Sequence, residues 1–441
     1  MSRTLSVSPQ HRVSGTLSVP GDKSISHRVA MLASVANGSS RITGFAESAD
    51  CRATLECLRS LGVAIEHSAA EIVIHGKGLR SYKPPASPVL LNADNSGSTI
   101  RMLSGILAAQ PFVSVIDGDA SLRRRPMARI IDPLMRMGAS IEAREGNFAP
   151  LRITGGDLKP VQYASPTASA QVKTCVLFAG LHAGGTTVFS EPTPSRNHTE
   201  LMLGEFGARI ETESKTSVRV EGGVELRPVD YTVPGDVSSA AFLVAAATLL
   251  PDSELVVTAV NLNPKRTGFL DVLRTLGARI EIQNASEQHG ERVGNLRVTA
   301  ASLSAGARGL QLSGRVIANL IDEIPILAVV GTQIDGRVEV RDARELRVKE
   351  SDRIRTVVDG LRSMGVIVEE FEDGFALSGP QRLTGGRIET AGDHRIAMAF
   401  TIAGLIAEGP TEIADADCVG VSFPGFYDAL RSVTGDIGIT G

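Results

Sequence analysis

At 441 residues, with 42% hydrophobic and 21% charged positions, the chain is too long for one ordinary core and reads as a soluble globular protein of two domains. A net charge of -4 argues against nucleic-acid binding, which draws on a basic excess. The longest apolar run, Ala240 to Leu250, is too short for a membrane span, and Met1 to Gly15 shows no signal peptide, so a cytoplasmic protein is expected.

In chain order the first marked stretch is Pro20-Gly21-Asp22-Lys23-Ser24-Ile25-Ser26-His27-Arg28. A chain-turning Pro-Gly meets a helix start that sets Lys23, Ser24 and Arg28 on the first turns. Helix N-termini offer unpaired N–H groups and partial positive charge, so an anion docks there readily. An ordinary Asp- or Ser-capped helix would look the same. A Walker-type phosphate loop is excluded, because Asp22 stands where that motif needs glycine.

Self-similarity follows. Leu58-Arg59-Ser60-Leu61-Gly62 is echoed by Leu134 to Gly138, Leu203 to Gly207, Leu273 to Gly277, Leu361 to Gly365 and, degraded, Leu430 to Ile437. The glycines lie roughly 70 to 90 residues apart. Each copy predicts an amphipathic helix closed by a C′ glycine and followed by a short alternating strand. Upstream of each lies an Ala-rich helix, beginning near Ser24, Ser98, Ala168, Ser238, Ile324 and Ile396, and then a strand. Small residues along these helices predict close packing in the interior. Val19-Pro20-Gly21-Asp22 recurs as Val233-Pro234-Gly235-Asp236, three units on. The expected domains are therefore 21–235, and 1–20 with 236–441, hinged near 20–22 and 233–236.

The six interior helix starts are all polar, yet each is chemically distinct: Asp22-Lys23-Ser24, Asn95-Ser96-Gly97, Ser169-Ala170-Gln171, Asp236-Val237-Ser238, Asp322-Glu323 and Asp393-His394-Arg395. Divergence at one equivalent place predicts a shared asymmetric site. Cations accompany the starts at Arg123, Arg124, Arg125, Lys173, Arg196, Lys349, Arg353 and Arg395, which suits a ligand rich in phosphate and carboxylate. Lys349 and Arg353, spaced i, i+4 beside Glu350, would also fit a salt-bridged helix start. Four scattered cysteines (Cys51, Cys57, Cys175, Cys418) predict free thiols, and the histidines show no metal-ligand spacing, so no metal site is expected.

In these motifs the chain resembles the enolpyruvyl transferase family, in the branch whose acceptor is shikimate 3-phosphate. The matching stretches add Arg125-Pro126-Met127, Ile321-Asp322-Glu323, Arg347 to Arg353 and Ser422-Phe423-Pro424 to those above, and run in family order along nearly the whole chain. The resemblance implies an α/β fold of two similar domains, each three βαβαββ units with interior helices (an inside-out α/β barrel), closing over the substrates. It implies transfer of the enolpyruvyl group of phosphoenolpyruvate to the 5-hydroxyl of shikimate 3-phosphate in aromatic biosynthesis, by a monomer with no cofactor. Carried over to this chain, Lys23, Ser24, Arg28, Ser169, Ala170, Gln171, Arg196, Asp322 and Lys349 would hold shikimate 3-phosphate. Lys23, Gly97, Arg125, Gln171, Arg353 and Arg395 would hold phosphoenolpyruvate, and Asp322, Glu350 and Lys23 would be catalytic.

Two positions depart from the common pattern. Ala170 stands where many members carry a hydroxyl, and Val421 where many carry lysine. Both look like the divergent bacterial branch that includes glyphosate-tolerant members. The sister activity on UDP-N-acetylglucosamine is the nearest alternative, but its usual cysteine is missing between Asp117 and Arg125. A non-catalytic repeat scaffold is a second alternative, and it predicts uniform repeats and dispensable acids.

Overall fold

The protein, a computed structural model described over residues 3–434, forms two compact units. The first comprises Gly21–Val233 together with Gln288–Glu291. The second comprises the residues up to Pro20, Pro234–Glu287 and those from Arg292 onward. Each has its own apolar core.

The first unit contains α1 (Lys23–Val35), α2 (Ala49–Ser60), α3 (Gly97–Leu107), α4 (Ala128–Arg136), α5 (Ala170–His182) and α6 (His198–Glu205). The second contains α7 (Val237–Leu249), α8 (Gly268–Thr275), α9 (Arg315–Leu320), α10 (Ile324–Gly331), α11 (Arg353–Ser363), α12 (His394–Leu405) and α13 (Phe426–Thr434). In the first unit α3 packs against α1 and α5, and in the second α7, α10 and α12 pack against one another. These are the Ala-rich helices of the sequence. In α7 every residue from Val237 to Thr248 is buried, as a helix apolar on all sides must be.

A mixed sheet accompanies each helix pair. In the second repeat Val89–Asn92 runs parallel to Val113–Asp117, which pairs antiparallel with Phe148–Thr154, itself antiparallel to Ser140–Arg144. The third repeat has the same plan. The first repeat has no strand of its own before α1, and Tyr231–Thr232 fills the place, parallel to Asn37–Thr43. In the second unit Ser14–Ser18 does the same beside Glu254–Asn261. Both units thus begin by borrowing a strand from a distant part of the chain. The last sheet differs: Leu5–Val7 lies antiparallel to Thr411–Ile413, which lies parallel to Gly386–Ile388. The expected last strand of the sixth copy, near Ile437, lies outside the described residues.

The outer helices end as their sequence predicts. Gly62, Gly138, Gly207, Gly277 and Gly365 follow α2, α4, α6, α8 and α11 with φ between 84° and 102°, a conformation that side chains resist. The four cysteines are free, three of them buried.

Close packing of the interior helices rests on small residues. A Cβ on Gly105 of α3 would run into the backbone carbonyl of Cys175 in α5, which cannot swing aside. Gly204 in α6 has open space instead. Gly105→Ala is expected to cost about 1–3 kcal/mol, read as a lower urea midpoint. Gly204→Ala should leave stability unchanged or raise it by up to about 1 kcal/mol. Equal midpoints for the two variants would contradict this account of the helix contact.

Candidate functional site

Within each unit, three interior helix N-termini come together. In the first unit they are those of α1, α3 and α5. The caps are Asp22, accepting from Ile25 N at 3.0 Å, Ser96 from Thr99 N at 3.1 Å, and Ser169 from Val172 N at 3.4 Å. Polar side chains then tie one helix start to the next. The Arg28 guanidinium on α1 donates to Thr174 Oγ1 (2.9 Å) and the Ala170 carbonyl (3.3 Å) on α5, and to Thr199 Oγ1 (2.8 Å) on α6. Gln171 on α5 donates to Ser98 Oγ and accepts from Arg101 Nη1, both at 2.9 Å, so its amide is fixed at both ends against α3. A buried relay, His27 Nδ1 to Thr54 Oγ1 to Thr99 Oγ1 to Ser96 Oγ, runs from α1 through α2 to α3, each step 2.7 Å.

Cations crowd this region. Lys23 pairs with Asp50 of α2 at 2.8 Å, with both side chains largely buried. Arg125 is anchored by Asn95 Oδ1 (2.7 Å), the Asn95 carbonyl (3.2 Å) and Ser121 Oγ (3.2 Å). A Cβ on Gly97 would lie 2.8 Å from Arg101 Nη1 and 3.4 Å from Arg125 Nη1, so the missing side chain leaves the two guanidiniums their place. Arg196 is half-buried on the loop before α6. Lys23, Arg28, Arg101 and Arg125 at three helix N-termini form a cradle suited to a polyanion.

The second unit's cluster has the same frame and different chemistry. Asp236 caps α7 through Ser238 N at 2.8 Å, and Asp393 caps α12 through Arg395 N at 2.9 Å. The centre is Arg353, 2% exposed. Its Nε and Nη2 donate to the two oxygens of Asp393 at 2.8 and 3.2 Å. Glu350 lies 2.6 Å from Nη2 and Asp322 3.6 Å from Nη1. Burial works to lower the Arg353 pKa, but the carboxylates of Asp393, Glu350 and Asp322 more than reverse this, so the guanidinium stays charged. Glu323 accepts from Ser238 Oγ and lies 3.9 Å from Arg395 Nη1, while Arg266 donates to Asp236 (3.0 Å) and Ser238 (2.8 Å). Lys349 is half-buried, 3.7 Å from Glu345.

The sequence-predicted residues therefore fall into two sets. Lys23, Ser24, Arg28, Gly97, Arg125, Ser169, Ala170, Gln171 and Arg196 belong to the first unit, and Asp322, Lys349, Glu350, Arg353 and Arg395 to the second. Two of the cations expected to accompany them do something else. Arg123 is exposed and pairs with Asp117, and Lys173 is buried between Glu191 and Glu200. Sequence reasoning missed Arg101, although its spacing of four from Gly97 puts both on one helix face. It also missed Asp50 and Arg266, for which no motif gave a signal, and it read Glu323 and Asp393 only as parts of helix starts.

Residues 7–430 match the family profile described as EPSP synthase (3-phosphoshikimate 1-carboxyvinyltransferase). A 3-phosphoshikimate 1-carboxyvinyltransferase of Solibacter usitatus is 49% identical over 97% of this chain and 99% of its own. One from Bacillus cereus is 46% identical over 96% and 97%. Among solved structures, an EPSP synthase from Acinetobacter baumannii superposes with a TM-score of 0.87 at 40% identity, covering 99% of this chain and all of that one. The enolpyruvyl transferase NikO from Streptomyces tendae, at 17% identity and a TM-score of 0.78 over 99% of both chains, shares the fold.

His27 lies under the first cradle. Burial, and then the charges of Lys23 and Arg28, hold its pKa well below 6.5. The folded chain keeps the ring neutral, whereas the unfolded chain protonates it, so acid favours unfolding. Stability should fall by up to about 1.4 kcal/mol per pH unit below about pH 6.5 on this account alone. Denaturant titrations of His27→Gln should show a shallower loss between pH 6.5 and 5 than the parent. An identical slope would contradict the neutral ring.

Proposed function

The chain belongs to the EPSP synthase family, and we propose that the residue clusters of its two units divide that family's reaction into anion holding and proton transfer. The enzyme moves the enolpyruvyl group of phosphoenolpyruvate to the 5-hydroxyl of shikimate 3-phosphate and releases phosphate, in aromatic biosynthesis. The methylene carbon of phosphoenolpyruvate takes a proton while the hydroxyl oxygen bonds to the adjacent carbon and loses its own. The tetrahedral adduct then gives up a methyl proton as the bond from carbon to the phosphate oxygen breaks. Such a cycle needs cations for two phosphates and two carboxylates, and positioned groups that accept and return protons.

The carrying observation is the contrast between the two frames. In the first, the helix starts are joined by cations and neutral hydroxyls, with Asp50 and Asp22 as the near acids. In the second, Asp322, Glu350 and Asp393 surround one arginine. The first suits the polyanion. Lys23, Ser24, Arg28, Ser169, the Ala170 backbone, Gln171 and Arg196 are assigned to shikimate 3-phosphate, with Lys349 and Asp322 completing the set. Lys23, Gly97, Arg125, Gln171, Arg353 and Arg395 are assigned to phosphoenolpyruvate. The fixed Gln171 amide and the anchored Arg125 support these roles, since a preorganised donor loses little freedom when it meets its ligand. Asp322 takes the hydroxyl proton, and Glu350, 2.6 Å from Arg353, serves the methylene carbon.

One chain carries both residue clusters, which supports a monomer as the working form, and charged metabolites as substrates support a cytoplasmic one. Among the described residues no helix is long and apolar enough to cross a membrane. The chain crossings near 20–22 and 233–236 are proposed as the domain boundary.

The test is phosphate release from phosphoenolpyruvate with shikimate 3-phosphate, beside a tube containing UDP-N-acetylglucosamine. Release is expected in the first only. Asp322→Asn and Glu350→Gln should each lower kcat by about 10²–10⁴-fold while calorimetry still detects the folded protein binding shikimate 3-phosphate. Near-normal turnover of either variant would remove that residue from proton transfer.

A further inference from the structure

The loop from Glu191 to Asn197 carries Arg196 and is folded around a buried charge cluster for which the proposed chemistry has no use. Lys173, one turn into α5 and 2% exposed, lies 3.1 Å from Glu191, 2.7 Å from Glu200 of α6 and 3.5 Å from the Ser195 carbonyl. Glu191 also accepts from Ser195 N at 2.7 Å and from Ser195 Oγ at 2.9 Å. Beside it, Thr174 and Thr199 share a hydrogen bond of 2.6 Å, and Arg28 Nε donates to the same Thr199 hydroxyl.

Three formal charges in or at the edge of an interior carry a desolvation cost, and well-packed apolar residues in their place are often no less stable. Stability alone therefore does not account for them. What they supply is geometry. Glu191 stands at the start of the Arg196 loop and Glu200 in the first turn of α6, which follows it. Lys173 binds the loop start and the following helix turn to the helix whose first turn holds Ser169, Ala170 and Gln171. The Lys173 ammonium is enclosed by protein oxygens and is not offered to a ligand.

We propose that Lys173, with Glu191 and Glu200, is a positioning group that sets the reach of Arg196 and thereby the affinity for shikimate 3-phosphate. This rests on the assignment of Arg196 to that substrate. The cluster acts on one arginine, so its loss falls on the binding of one substrate and leaves proton transfer alone.

The test is a double-mutant cycle on the full chain, read by calorimetric binding of shikimate 3-phosphate. Lys173→Met and Arg196→Ala should each weaken binding about tenfold, and the double variant should bind no worse than Arg196→Ala. For Lys173→Met, kcat and the KM for phosphoenolpyruvate should stay within about twofold of the parent. An equal loss from Lys173→Met in both backgrounds overturns the proposal, because the lysine would then act independently of Arg196. Normal binding by Arg196→Ala overturns the assignment of Arg196 itself, and the proposal with it. Lys173→Met leaves the Glu191 and Glu200 carboxylates without their cation, so Ser195→Ala, which removes one hydrogen bond and no charge, is carried through the same cycle. It should cost about threefold in the parent and nothing beside Arg196→Ala. Additive losses for Ser195→Ala would reject the proposal even if Lys173→Met failed to fold.

Discussion

Bringing three helix N-termini together is the constraint on which each unit depends. Every such end carries unpaired N–H groups and roughly half a positive charge. Three of them side by side repel one another unless caps and counter-charges intervene. Asp22, Asp236 and Asp393 meet this need locally, each accepting from a backbone N–H of its own first turn. Ser96 and Ser169 do it without charge. The two units then diverge. The first adds the cations Lys23, Arg28, Arg101 and Arg125. The second answers with Asp322, Glu350 and Glu323 and builds them around Arg353 and Arg395.

That divergence on a repeated frame accounts for how one fold supports both kinds of chemistry. The interior helices are small-residue rods whose close approach leaves little freedom at their starts, as the fit of Gly105 against α5 illustrates. Rigid starts make precise sites. Gln171 is held at both ends of its amide and Arg125 by Asn95 and Ser121, so neither depends on a ligand for its orientation. Buried hydroxyls complete the frame: the relay from His27 to Ser96 and the Thr174–Thr199 pair satisfy polar groups that would otherwise be costly in an interior.

Not every conspicuous charge serves the ligand. Arg123 and Lys173 both looked like members of the cation set, since sequence shows a charge without showing what neutralises it. In the fold Arg123 lies on an exposed pair with Asp117, and Lys173 is enclosed by Glu191 and Glu200. Arg101 was the opposite case, an arginine without a motif that occupies the space left by Gly97 and orients Gln171.

By itself the sequence determined the repeat plan. Helix periodicity and C′ glycines are local properties, and the interior helices begin within two residues of the predicted starts. It also determined that these starts carry distinct chemistry, because caps, cations and acids stand within a few residues of each other along the chain. What tertiary structure alone decided is which charges face one another. The union of Arg353 with Asp393 and Asp322, of Lys23 with Asp50, and of Lys173 with Glu191 and Glu200 joins positions on separate elements. The borrowed strands Tyr231–Thr232 and Ser14–Ser18 were likewise set by sheet edges in need of a partner. Pairing energies of this kind depend on burial and distance, and neither exists until the helices have packed.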